Sequence, residues 1–364
     1  LCGILGASSN FALPHIDAAL RSIEHRGPDE RVIQEDDGVT FGFARLSIME
    51  ITAGKQPLHL RDQNLTALFN GEIYNYQELR MEMESAGTRF NSTSEVEVLL
   101  RGYRRWGKGI FPKLRGMYAI ALWDSLEKTL ILIRDSLGKK PLYWFREEDG
   151  FGFASEIKAL WRFIPFDKSH LDRHALVDYL VSDSIPTPRS IDDRIRKVKP
   201  GTILEIGSHG VSETSFWPSK ISIGFSKELG ITDGFYLRLK ESVQRRLQSE
   251  VPVGIFLSSG LDSRAVASTV SKCMDERIPS FTLQFSGTYD ESEIAKEISK
   301  DYGFDHNVVT SRDEDLAEIW QVAKDLVDEP LNDPAVLPMM LLSRAAGRSV
   351  KVAITGDGGD ELLM

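Results

Sequence analysis

Cysteine is almost absent from this sequence. Cys2 and Cys273 are the two in 364 residues, too few for a disulfide framework or a thiolate zinc site. Long apolar runs are absent as well: none approaches the ~18 residues that mark a membrane span. The first residues lack the basic-then-apolar order of a secretory signal. Positive charge is short, with 44 Lys and Arg against 54 Asp and Glu and a net charge of -10. No basic stripe with interleaved aromatics offers a nucleic-acid footprint. No G-x-x-x-x-G-K-[ST] Walker loop occurs, no internal repeat or low-complexity segment is found, and the seven histidines show no ligand spacing. These absences predict a cytoplasmic protein without a membrane or nucleic-acid partner. With 41% apolar and 27% charged residues, the composition is that of a globular chain of two or three domains.

What is present falls into two grammars. The first half opens on a strand at residues 2–6 and a helix over Leu13–Ile23. Short strands at close spacing follow: Val39–Arg45, Leu65–Phe69, Tyr118–Asp124, Thr129–Arg134, Leu142–Phe145 and Phe151–Ala154. Helices at Tyr76–Ala86 and Ser94–Trp106 interrupt them, which predicts β layers with helices outside. A last hairpin is expected around Thr202–Ile206. The Ser-, Gly- and Pro-rich stretch 208–230 reads as a linker, so the expected domains are 1–207 and 231–364. After it strands and helices alternate: helix Leu229–Gln248, strand Val251–Leu257, helix Leu261–Met274, strand Pro279–Phe285, helix Glu291–Tyr302, strand Asn307–Val309, helices Glu314–Val327 and Pro338–Gly347, strand Lys351–Ile354. That order predicts a parallel sheet with ligands at the carboxyl ends of its strands.

Two loops of small residues fall at such ends, Ser258–Ser263 and Thr355–Glu361. A strand, a Ser/Gly turn and a helix start with apolar residues at Leu261, Val266 and Val270 together make an anion cradle. Backbone N–H groups and hydroxyls donate there, and the helix dipole favours negative charge. On this stretch alone an ordinary strand-to-helix turn with an N-cap would look the same. The chain stops at Met364 with no closing helix, which reads as a truncated sequence.

The motifs then align with a known family. Cys2-Gly3-Ile4, HRGPD at 25–29, RLSI at 45–48, NGEIYN at 70–75, RDSLGKKPLYW at 134–144 and FASEIKAL at 153–160 stand in the first half; SSGLDS at 258–263, DEP at 328–330 and TGDGGDE at 355–361 stand in the second. In this order the chain resembles the glutamine-hydrolysing asparagine synthetases from end to end. The resemblance implies an α+β N-terminal-nucleophile hydrolase sandwich (αββα). An α/β parallel-sheet nucleotide-binding domain of the PP-loop type, here incomplete, would follow it.

For the first half the resemblance implies that Cys2 attacks glutamine, its own α-amine serving as base. An amine near pKa 7.7–8 is well matched to a thiol near 8.5. Leu1 would acylate that amine; it reads as a non-AUG start codon translated literally or as a fragment edge. Arg45 would clamp the glutamine carboxylate with its planar guanidinium. Asn70 and Gly71 would form the oxyanion hole, and Ile48, Glu72 and Glu95 would complete the glutamine pocket. At position 95 the family usually has aspartate, one methylene shorter. In the second half Ser258, Ser259, Gly260, Asp262 and Ser263 would take the pyrophosphate of ATP. Leu257 and Leu283 would flank adenine, and Thr355, Gly356 and Asp357 would form the loop that supports an acyl-adenylate. Ser259 stands where the family has glycine, and Asp357 is shorter than the glutamate of many relatives. Asp262 and Asp360 are the expected Mg²⁺ ligands, though Asp360 and Glu361 also fit a solvated acidic turn. Cys273, late in a helix pattern, reads as core.

The implied reaction is glutamine hydrolysis to a glutamyl thioester and ammonia, ATP activation of aspartate as acyl-AMP, and displacement of AMP by ammonia carried inside the protein. Two alternatives stay open. One is an amidating ligase of the same build acting on a sugar acid or peptide-like carboxylate; the other is a glutaminase whose nucleotide half is inert. A homodimer is compatible with either.

Overall fold

A computed structural model describes residues 2–11, 13–48, 54–148, 150–217, 230–285 and 290–363. Leu1 and most of the expected linker lie outside these. Contacts divide the chain into two units: Leu1–Ile221 with Asp328–Asn332, and Ser222–Val327 with Asp333–Met364.

The first unit carries strands β1 (Gly3–Ser8), β2 (Glu30–Asp36), β3 (Val39–Arg45), β4 (Leu58–Leu60), β5 (Leu65–Ile73), β6 (Gly116–Asp124), β7 (Thr129–Arg134), β8 (Tyr143–Glu147), β9 (Gly150–Ala154), β10 (Ile195–Lys197), β11 (Thr202–Gly207) and β12 (Gly210–Ser215). Its helices are α1 (Leu13–Ser22), α2 (Tyr76–Ser85), α3 (Glu95–Trp106), α4 (Ile157–Leu160) and α5 (Arg173–Ser182). The strands form two six-stranded sheets, ordered β10-β8-β9-β1-β3-β2 and β12-β11-β7-β6-β5-β4, and every pair within them is antiparallel. Three apolar clusters explain the layering. Ile4, Phe41, Phe43 and Phe153 of the first sheet meet Leu68, Ala119, Leu132 and Leu204 of the second in the central one. Ile16, Leu20, Ile157 and Leu160 cover the outer face of the first sheet. Leu79, Met83, Val98 and Leu99 cover the outer face of the second. Strands buried on both faces read as unbroken apolar runs rather than alternating ones, and β1 and β3 are buried at every position. The result is the αββα sandwich.

The second unit holds α6 (Ile231–Leu247), β13 (Val253–Phe256), α7 (Leu261–Ser271), β14 (Pro279–Gln284), α8 (Ser292–Tyr302), β15 (Asp305–Thr310), α9 (Asp313–Leu326), α10 (Val336–Ala346), β16 (Val352–Ile354) and α11 (Gly359–Leu363). Its four strands run parallel in the order β15-β14-β13-β16. Ile255, Ala267, Val270 and Ile298 pack between sheet and helices. Both small-residue loops leave the carboxyl ends of adjacent strands, β13 and β16.

Some expected elements differ. The charged segment that forms β2 alternates half-buried and exposed at an edge, so its apolar signal is thin. Leu261 does not face the core: it is 84% exposed, and Ser263, Ala267 and Val270 turn inward instead. α7 ends at Ser271, which leaves Cys273 half-buried in the turn beyond it rather than in a helix core. No pattern predicted α5, because Val177, Leu180 and Val181 point outward.

Candidate active sites

Cys2 stands one residue before β1, so the sheet fixes where its sulfur can go. Its Sγ lies 3.7 Å from the Leu46 carbonyl and accepts from the Leu46 amide at 3.5 Å. Burial pushes the thiol up, while the Leu46 backbone and the Arg45 charge act against that. The pocket beside it is lined by Arg45, Ile48, Gln56, Gly71, Glu72 and Glu95, among others. Four expected glutamine residues and Ile48 therefore meet Cys2 at one place.

Asn70 belongs to the same neighbourhood by register, next to Gly71 on β5. It is 1% exposed, and neither its Oδ1 nor its Nδ2 has a hydrogen-bond partner. An orphaned buried amide is costly and calls for an explanation. Gly71 has no alternative: a Cβ there would sit 2.0 Å from the Met117 carbonyl oxygen. Its opposite number on β6, Tyr118, exchanges its own backbone groups with Asp135, whose N–H donates to Tyr118 O at 2.8 Å. Glu95 is held as well as placed. Its Oε2 accepts the Ile73 amide at 2.6 Å, and Ser94 caps α3 through the Val96 amide. Arg45 is buried and lies 3.5 Å from Glu30.

Several motif charges build the scaffold instead. Asp135, 1% exposed, accepts the amides of Tyr118, Leu137, Lys139 and Lys140. Arg134 donates to the carbonyls of Gly138, Lys140 and Val198. The RDSLGKK loop is thus folded by its own charged pair. Lys140 is buried, and burial followed by the Arg26 charge brings its ammonium down to about 8. Sequence reasoning missed Gln56, which lines the pocket and accepts the Phe69 amide at 2.6 Å. It missed also the ion pair of Arg26 with Glu156 at 2.8 Å; both residues lie in quoted motifs, but no spacing couples them.

In the second unit an open cleft is lined by Leu257, Ser258, Gly260, Asp262, Ser263, Leu283, Glu291, Thr355, Gly356, Asp357 and Asp360, among others. Ser259 stands between two of these lining residues. The turn is tied by its own hydroxyls: Ser258 N–H donates to Ser263 Oγ at 2.9 Å, and Gly260 N–H to Ser258 Oγ at 3.2 Å. No side chain caps the start of α7, and Leu261, Asp262 and Ser263 of its first turn line the cleft, where an anion would find the helix's N-terminal end. The two loops touch. A Cβ on Gly356 would meet Ser263 N at 2.7 Å, and one on Gly359 would meet Asp262 Oδ2 at 2.1 Å. Among the described residues no group of three or more His, Cys, Asp or Glu is gathered as a metal site. Asp262 and Asp360 both line the cleft, two carboxylates of the kind that hold Mg²⁺ together with substrate phosphates. No described helix is long and apolar enough to cross a membrane.

Comparison with known proteins follows the same division. Residues 1–217 match the family model of the glutamine amidotransferase domain, and residues 235–364 that of asparagine synthase. A glutamine-hydrolysing asparagine synthetase of Bacillus subtilis is 34% identical over 100% of this chain and 58% of its own length. A putative asparagine synthetase of Mycobacterium tuberculosis is 33% identical over 99% and 58%. An amidase of Penicillium rubens, chyE, is 31% identical over 98% and 55%. The chain spans about 58% of the length of the first of these relatives.

Proposed function

The chain belongs to the glutamine-hydrolysing asparagine synthetase family, and from that premise we propose that it releases ammonia from glutamine at Cys2 and spends it on an ATP-activated carboxylate, aspartate first. With its α-amine free, Cys2 passes its thiol proton to that amine and attacks the side-chain carboxamide. Negative charge develops on the carboxamide oxygen. Asn70 Nδ2 and the Gly71 N–H are the donors that meet it, and a single such donor is typically worth about 10²–10³ in rate. Arg45 pairs with the α-carboxylate of glutamine, and Glu72 and Glu95 hold its ammonium. The α-ammonium returns that proton to the substrate nitrogen, the C–N bond breaks and ammonia leaves; water then hydrolyses the thioester to glutamate and the free thiol.

The observation that carries this reading is the Asn70 amide, buried and unpartnered next in sequence to the pocket-lining Gly71. A structural asparagine in that position would have found partners; an oxyanion donor waits for its acceptor. Tyr118 supports the Gly71 assignment. A residue whose backbone groups turn to one neighbour in an antiparallel ladder leaves the residue opposite unbonded on that side.

In the second unit the Ser258–Ser263 turn and the start of α7 receive the pyrophosphate portion of ATP. Thr355, Gly356 and Asp357 face the activated carboxylate. Asp262 and Asp360 would hold Mg²⁺ together with the nucleotide phosphates, as one or two carboxylates usually do. Kinship with the bacterial synthetases supports aspartate as the acceptor; the fungal relative named an amidase is the reason to test other carboxylates beside it. Glutaminase activity of Asn70→Ala, and pyrophosphate release with a panel of carboxylates, test the two halves separately. Glutamine turnover unchanged in Asn70→Ala contradicts the first half, and absence of carboxylate-dependent pyrophosphate release contradicts the second.

A further inference from the structure

The segment Asp328–Asn332 is grouped with the first unit, although its covalent neighbours on both sides belong to the second. Its seat there is built from charges. Glu329 accepts from Tyr143 Oη at 2.9 Å and from the Ile191 amide at 2.9 Å, and it pairs with Lys197 at 2.8 Å. Asn332 bonds Asp183 through both backbone and side chain. Asp328 takes Lys158 twice: the backbone N–H on Oδ2 at 3.1 Å and the ammonium on Oδ1 at 3.2 Å.

From Lys158 the charges continue inward. Its Nζ lies 3.0 Å from Glu156 Oε2; Glu156 Oε1 accepts from Arg26 at 2.8 Å; and Arg26 Nε donates to the main-chain carbonyl of Cys2 at 3.2 Å. His25 also reaches Glu156, at 3.0 Å. The side chains of Arg26, Glu156, Lys158 and Asp328 are only 11–15% exposed, so solvent screens this row poorly. It ends on the Cys2 main chain, which carries both the sulfur and the α-nitrogen of the proposed nucleophile.

We propose that Lys158 and Asp328 are positioning residues of the glutamine site, acting through Glu156 and Arg26 on the Cys2 backbone, so that glutamine hydrolysis depends on the seating of segment 328–332. The physical reason is the anchoring of Glu156. Arg26 and Lys158 hold that carboxylate through different oxygens, and Asp328 fixes Lys158. When Asp328 is seated, Lys158 is held between two carboxylates and keeps Glu156 where Arg26 reaches it. Without Asp328 or without Lys158 that support is lost, and Arg26 loosens at the Cys2 carbonyl. Glutamine binding is untouched by this, because Arg45, Glu72 and Glu95 come from other elements. This inference rests on Cys2 being the nucleophile.

The test is steady-state glutaminase kinetics of the full chain beginning at Cys2. Asp328→Asn and Lys158→Met are each expected to lower kcat about three- to thirtyfold, the range of coupling through packed networks, with KM for glutamine changed less than twofold. The double variant should lose no more than the worse single one, as residues in one network are non-additive. Lys158→Arg, which keeps the charge, should recover most of kcat. A kcat within twofold of the parent in both single variants, with only the melting temperature lowered, overturns the proposal, as do multiplicative losses in the double variant. Cys2→Ala separates the two readings. If it still hydrolyses glutamine, the nucleophile assignment falls; if it is dead while Lys158→Met turns over normally, the positioning role alone falls.

Discussion

The Ser259 amide donates to Glu291 Oε2 at 3.1 Å. A carboxylate thus holds one of the main-chain donors of the loop proposed to receive the pyrophosphate of ATP. A polyphosphate would have to displace it and would feel its charge. At an effective dielectric near 20, two unit charges several ångströms apart interact by about 2–3 kcal/mol before salt screening. Glu291→Gln is therefore expected to tighten ATP or pyrophosphate binding by on the order of tenfold at low salt, read by calorimetry. Weaker binding in this variant would show that Glu291 supports the loop rather than competes with its ligand.

Asn70→Ala should lower kcat for glutamine hydrolysis by about 10²–10³ and leave KM nearly unchanged, since the amide acts where charge develops and not in the ground state. A variant that loses KM and keeps kcat would place Asn70 in substrate binding instead.

Glu95 reaches the Ile73 amide at 2.6 Å because glutamate is long enough to span from the start of α3 to the end of β5. Glu95→Asp shortens that reach. The exposed amide should cost about 1–3 kcal/mol in urea unfolding, and KM for glutamine should rise as the carboxylate withdraws from the pocket. Unchanged stability and KM would mean that aspartate serves equally well here.

Burial acts to raise the Glu156 carboxyl, but His25 and Arg26 together bring it down to about 2. A carboxylate lowered from about 4.5 by folding stabilises the protein above pH 4.5, and that contribution is lost as pH falls toward 2. The unfolded chain binds more protons across this window, so stability rises with pH there. Glu156→Gln should flatten the stability curve between pH 4.5 and 2 by on the order of 3 kcal/mol. A parallel curve for both proteins would remove Glu156 from the acid response.

The sandwich was legible in the sequence where strands are buried on both faces, as in Val39–Arg45 and Thr129–Arg134, because nothing but an apolar run fits there. β2 was not, since an edge strand hides its pattern under charge, and neither was α5, whose exposed Val177, Leu180 and Val181 break the expected stripe. Within the candidate sites, Cys2, Arg45, Glu72 and Glu95 could be named from motifs. What motifs cannot give is which charges are spent on the scaffold. Asp135 and Arg134 stand in as conspicuous a motif as Arg45, yet they fold a loop. The pairing of Glu156 with Arg26 spans 130 residues, and such long-range pairs follow from topology rather than from spacing.

The central claim is that the sulfur and the free amine of Cys2 act together. It is tested most directly by treating two forms of the chain, one beginning at Cys2 and one retaining Leu1, with a glutamine-like diazoketone, followed by peptide mass mapping and a glutaminase assay. The account predicts one adduct, on Cys2 and not on Cys273, with hydrolysis confined to the form whose Cys2 amine is free. Equal hydrolysis by the Leu1-capped form, or labelling that bypasses Cys2, would contradict it.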